Sequence, residues 1–171
     1  MSTTAKQRKQ TYWLLEHPEE YPGLPARDEC DRKLLLFRYP SFKPSASWSL
    51  FKTGKHYWIR RVEWDCSKCF PTAIEPLTFG SEAAFLPSAA EQVLSSLSSI
   101  EFCPLKQPEL GGIDGTILGI TVGNYWLSCS LRWWYLPSND WKPLAAWFEK
   151  TVDTFEQALP ESTCRSHQIG R

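Results

Sequence analysis

The chain has no long apolar run and no excess of charge of either sign, and each absence removes a class of function. Its amino-terminal stretch MSTTAKQRKQTYWLLEHPEEYP holds only four consecutive apolar residues, Tyr12 to Leu15, whereas a secretory core needs about 7–15 and a membrane span about 20. A cytoplasmic protein is expected, with no membrane among its partners. Lys and Arg total 19 and Asp and Glu total 19, so the basic excess that duplex DNA calls for is missing and nucleic acid is not an expected partner. No P-loop, dinucleotide glycine pattern or GxSxG elbow occurs, and no internal repeat. The charge that is present is uneven. Lys43, Lys52, Lys55, Arg60, Arg61 and Lys68 outweigh Glu63 and Asp65 between positions 43 and 68, and residues 69–171 are net acidic.

What is abundant is aromatic: nine Trp, nine Phe and six Tyr in 171 residues, far more than a soluble domain of this size ordinarily carries. Six cysteines (30, 66, 69, 103, 129 and 164) form an even set. A chain long enough to build its own core needs no disulfide framework, so they read as reduced thiols.

Along the chain, Ser2–Leu15 can form a helix that Pro18 and Pro22 stop. LLLFRY, SWSLFK and HYWIRRVEW, separated by Pro40–Pro44 and by Thr53-Gly54-Lys55, predict an antiparallel meander. The last of these does not alternate cleanly, which suggests a bulge at Arg60-Arg61. A short strand fits within Leu77–Phe85. LPSAAEQVLSSLSSI predicts a helix over about 88–99, with Ser88 and Glu91 as a capping box and Val93, Leu94 and Leu97 on its inner face.

TILGITV and YWLSCSLRWWY flank Gly123-Asn124, which predicts a tight hairpin with Val122 opposite Tyr125, Ile120 opposite Leu127, Leu118 opposite Cys129 and Thr116 opposite Leu131. One face is then apolar, with Trp133 and Tyr135 continuing it, and the other presents Arg132 and Trp134 with Trp126. A final helix over about 140–159 carries a core stripe of Trp141, Leu144, Phe148, Val152, Phe155 and Leu159, with Trp147 at its edge. The fold class is α+β: an antiparallel sheet of about five or six strands with both main helices on one face. Residues 1–160 form a single domain, and 161–171 are expected to be a flexible tail.

Four constellations could carry function. Cys66 and Cys69, two residues apart, can place both thiolates on one zinc ion with Cys30, Cys103 or His56 completing the set; the plainer reading is two thiols in a loop. Asp114 in Gly111–Gly115 could act as a base near His56 and the cysteine pair, giving a small hydrolase; turn chemistry alone also favours Asp-Gly there. A zinc-stabilised interaction domain is a third possibility. The fourth is a binding surface made of Trp126, Arg132 and Trp134 with Arg60 and Arg61, since Trp and Arg anchor protein interfaces. Its alternative is a second, smaller core under the amino-terminal helix or the 101–115 loop.

Residues 113–155, through Asp114, Gly115, Trp133, Trp134, Trp141 and Leu144, resemble in general plan a class of small bacterial immunity proteins found beside polymorphic toxins. An Asp-Gly turn leads there into a hairpin, a tryptophan-bearing strand and a helix with W-x-x-L. The resemblance implies a cytosolic, non-enzymatic protein that occludes a protein partner and needs no cofactor. No functional residues carry over from it.

Overall fold

The computed structural model describes residues 3–65, 77–103, 115–123 and 126–164, with side chains from Arg8 onward. Cys66, Cys69 and Asp114 fall outside them. Helix α1 (Thr3–Glu16) is followed by a strap that reaches β1 (Arg32–Pro40); then come β2 (Ser45–Thr53), β3 (His56–Trp64), β4 (Thr78–Phe85), α2 (Pro87–Ser98), β5 (Thr116–Gly123), β6 (Ser128–Trp134) and α3 (Lys142–Ala158). The six strands form one antiparallel sheet in the order β4-β3-β2-β1-β5-β6. The meander, the fourth strand and the helices stand as expected, and the hairpin forms in another register.

Both α2 and α3 lie on one face of the sheet. Alternation sends Leu34 and Leu36 of β1, Trp48 and Leu50 of β2, and Leu118 and Ile120 of β5 toward them. From α3 the whole expected stripe, Trp141 to Leu159, is buried. Trp147 is buried as well, because its indole N–H reaches Ser96 Oγ of α2 at 2.9 Å. Trp133 meets Phe148 edge to face at 5.6 Å.

The second face is not open. Leu15 of α1 packs with Phe37, Tyr39, Val62 and Trp64, and Tyr21 of the strap packs against this cluster. Buried strands covered on both sides have no polar side to show, so β3 could not advertise its phase. No bulge exists at Arg60-Arg61: the register runs unbroken through both, toward β2 and toward β4. Plain alternation puts Arg61 under α3 and Arg60 under the strap.

The expected capping box is not formed. The residue before α2 is Leu86, and no side chain caps the helix. Glu91 instead accepts from the Tyr57 hydroxyl and from Lys52 Nζ at 3.1 Å. These bonds, Tyr57 first, hold its carboxyl below the ordinary carboxylate range. A depressed carboxyl stabilises the fold above its unfolded pKa, and that stabilisation is lost as pH falls through its lower folded value. Tyr57→Phe is therefore expected to move the Glu91 titration upward, toward an ordinary glutamate, in a carboxyl-detected NMR titration. An unchanged midpoint would show that Tyr57 is not the main cause.

The hairpin register differs from the expected one by four residues. Val122 pairs with Cys129, Ile120 with Leu131, Leu118 with Trp133 and Gly119 with Arg132. The turn is longer than two residues, and Gly123 enters it at φ 124°, where a Cβ would lie 2.0 Å from the Leu127 carbonyl oxygen. A shift of four is even, so every residue keeps its face. Its consequence falls on Trp126 and Leu127, which leave the strand for the turn. At the other end β6 stops at Trp134, and Tyr135, expected inward, is 58% exposed.

Residues 161–164, expected to belong to a flexible tail, are held against the rest of the fold. The Pro160 carbonyl accepts from Arg61 at 2.9 Å, and the Ser162 hydroxyl lies 2.8 Å from both oxygens of buried Glu63. Cys164 is fully buried.

Candidate functional site

The five residues proposed as one surface are not brought together. Arg60 is 0% and Arg61 2% exposed, on opposite faces, and each is consumed by the chain itself. Arg61 reaches Glu156 at 2.8 Å and Glu63 at 3.0 Å. Arg60 grips Glu82 and three carbonyls of the strap. Trp126 is 88% exposed but sits in the β5–β6 turn, roughly 20 Å along β6 from Trp134 at about 3.3 Å per residue. Only Arg132 and Trp134 remain neighbours.

His56 and Trp64 are the two ends of β3, roughly 26 Å apart by the same rise. His56 therefore stands at the end of the sheet opposite Asp65 and Gly115, the described residues nearest Cys66 and Asp114. A site shared by His56 with Cys66, Cys69 or Asp114 lies outside the described residues. Cys30 lies beside the start of β1, at the same end as His56, and it, Cys103 and Cys129 are exposed free thiols, whereas Cys164 is buried.

Among the described residues, His17, Glu19 and Glu29 bring ligand atoms within 4.8 Å of one another. Arg32 already occupies the position a metal would take, 2.8 Å from Glu19 and 3.6 Å from Glu29. The chain supplies its own cation there.

Two grooves open where β1, β5 and β6 meet the β1–β2 turn. A ridge divides them, fixed by Ser41: its N–H and Oγ both donate to the Gly115 carbonyl at 2.9 Å, and its Oγ accepts from the Gly115 N–H at 3.0 Å. On the α3 side a groove of about 960 Å³ runs between Phe42, Lys43, Trp48, Tyr135 and Glu149. Phe42 is 80% exposed at its lip, and Leu136 is exposed beyond Tyr135. The Arg38 guanidinium closes its floor with an ion pair to Glu149.

On the α1 side a groove of about 560 Å³ is walled by Tyr12, Tyr39, Trp64 and Trp134, with Arg8 and Arg132 at its mouth. Tyr12 meets Tyr39 edge-on at 5.0 Å and Trp64 at 5.4 Å. Trp134 lies flat over Gly115, where a Cβ would come within 2.6 Å of its ring. Arg132 donates to Glu16 at 2.6 Å and stands 4.8 Å over the Phe37 ring. Trp64 Nε1 is buried and has no hydrogen-bond partner, and the buried Tyr39 hydroxyl faces the Glu16 carboxylate. Burial first, then the Glu16 charge, push the Tyr39 phenol well up, so it keeps its proton. Tyr12, Tyr39, Trp64 and Arg8 were not legible as a group, because they come from three separate elements and share no spacing.

Comparison with family models, with curated proteins and with solved structures finds no match to this chain. Of the residues that carry the likeness to immunity proteins, Trp133, Trp141 and Leu144 are core; they describe how the sheet is built rather than what it binds. Among the described residues no helix is long and apolar enough to cross a membrane.

Proposed function

We propose that this protein is a non-enzymatic binding module whose partner is another protein, docked on the ridge and groove around Phe42 and Tyr135. The observation that carries this reading is the exposure of Phe42, Tyr135 and Leu136 at one end of a sheet whose central strands are covered on both faces by the chain itself. An apolar patch rimmed by Lys43 and the Arg38–Glu149 pair has the composition of an interface core inside a polar rim. Arg132 and Trp134 lie across the ridge and extend the same end of the molecule. Occlusion of a toxin, which the immunity-type resemblance implies, is the form of binding this reading takes.

The test is co-expression with the product of the adjacent reading frame, followed by size-exclusion chromatography and calorimetry. A stoichiometric complex is expected. Phe42→Asp with Tyr135→Ala should weaken it by roughly 100-fold, the scale of losing two central anchors, while the thermal unfolding midpoint stays within a few degrees. Absence of a complex, or a complex indifferent to both substitutions, overturns the proposal.

A further inference from the structure

The groove under α1 has a chemistry of its own, independent of the protein-docking reading. Every polar group that lines its aromatic part and lacks a partner is a donor. Trp64 Nε1 is buried without an acceptor, and Arg8, at the mouth, makes no ion pair or hydrogen bond with any of the described residues. Glu16, the one carboxylate present, is already taken by Arg132. A groove with surplus donors and a positive mouth recruits an acceptor that carries negative charge. Its walls decide the rest. Tyr12, Trp134 and Ile117 offer flat apolar surface, and about 560 Å³ is within the range of small-molecule sites.

We infer that this groove is a binding site for a small aromatic carboxylate, whose ring lies between Tyr12 and Trp134 and whose carboxylate accepts from Trp64 Nε1 and pairs with Arg8. The orphaned indole N–H is the core of the case. A buried donor without an acceptor destabilises a fold by its full desolvation cost, which a ligand acceptor restores. Arg132 is held back by Glu16 and contributes charge at the rim. Because α1 supplies one wall, occupancy ties the helix to the sheet.

The experiment uses the whole chain and phenylacetate as probe, read by the indole N–H signals in a ¹H–¹⁵N spectrum. Phenylacetate is expected to bind with a Kd of roughly 0.1–1 mM, as befits ten heavy atoms in an open groove, and to shift the signal of Trp64. Phenylacetamide, without the charge, and acetate, without the ring, should each bind at least about tenfold more weakly. Arg8→Gln should weaken phenylacetate by about fivefold or more.

Two results overturn the inference: no Trp64 shift at saturating phenylacetate, or equal binding of the amide. Neither of them touches the docking surface around Phe42.

Discussion

Replacing Arg60 by alanine is expected to cost about 3–5 kcal/mol of stability, the range found when one partner of a buried ion pair is removed. The arginine is fully buried between β3 and the strap. Its Nη1 donates to the Pro18 carbonyl at 2.6 Å and the Glu19 carbonyl at 3.3 Å, its Nη2 to the Pro25 carbonyl at 2.5 Å and Glu82 at 2.6 Å, and its Nε to Glu82 at 2.9 Å. The Pro25 carbonyl would lose its donor, while the Pro18 and Glu19 carbonyls would keep the Tyr21 and Arg27 N–H groups at 3.2 and 3.3 Å. Glu82 would keep Arg27, at 2.5 and 3.1 Å, so the loss is shared between the pair with Glu82 and the bonds that fasten the strap. Burial, opposed by Glu82, lowers the guanidinium pKa, but arginine stays charged at any pH the fold survives.

The effect should be local before it is global. Amide exchange in residues 17–31 should accelerate more than exchange in β1 or β5, because Arg60 is the point at which the strap is fastened. Arg60→Lys keeps a charge but not the fork, and it should recover less than half of the loss. Urea titration gives the stability difference. A loss under 1 kcal/mol would mean that the strap is held elsewhere, and the second face of the sheet would need another explanation.

That second face is also where the sequence was least legible. The α3 stripe could be read from Trp141 to Leu159 because one side of a helix met water and supplied contrast. In β3, HYWIRRVEW, both sides are covered, so arginines stand where only apolar residues were looked for. The signal that was available lies in smaller residues. Ser45, Ser47 and Ser49 of β2 all point to the α1 face, and Gly80 and Gly119 stand on the same side. Such a row of small side chains is what large rings need if they are to lie flat on a sheet. The grooves were beyond local reading altogether: Tyr12 and Trp64 are 52 positions apart in the chain, and only the closed sheet brings α1 over both Tyr39 and Trp64. The hairpin register failed for a different reason. Alternation fixes the face of a strand but not a slip of an even number of residues, and Gly-Asn promised a tighter turn than the chain makes.

Gly119→Val tests that packing at its most crowded point, and a loss of about 3 kcal/mol is expected, the upper range for overfilling a core. A Cβ at position 119 would stand 1.9 Å from Phe37 Cζ and 2.4 Å from Cε1 and Cε2. The ring has nowhere to go. It is 1% exposed, stacked on Tyr39 at 4.8 Å, and Arg132 stands over it at 4.8 Å. In an ordinary strand, replacing glycine by a β-branched residue helps, since glycine costs roughly 0.5–1 kcal/mol in lost chain entropy. Here the sign should reverse, and the size of the reversal measures how firmly Phe37 is held. Phe37→Leu in the Gly119→Val background should recover at least about 1 kcal/mol relative to the sum of the single losses, as residues in direct contact do. Four urea curves settle it: strict additivity would mean that the strand moves away instead of the ring. Because Phe37 supports both Tyr39 and Arg132, the valine should also weaken phenylacetate binding in the α1 groove, so the same substitution links the packing of the sheet to the chemistry proposed for that site.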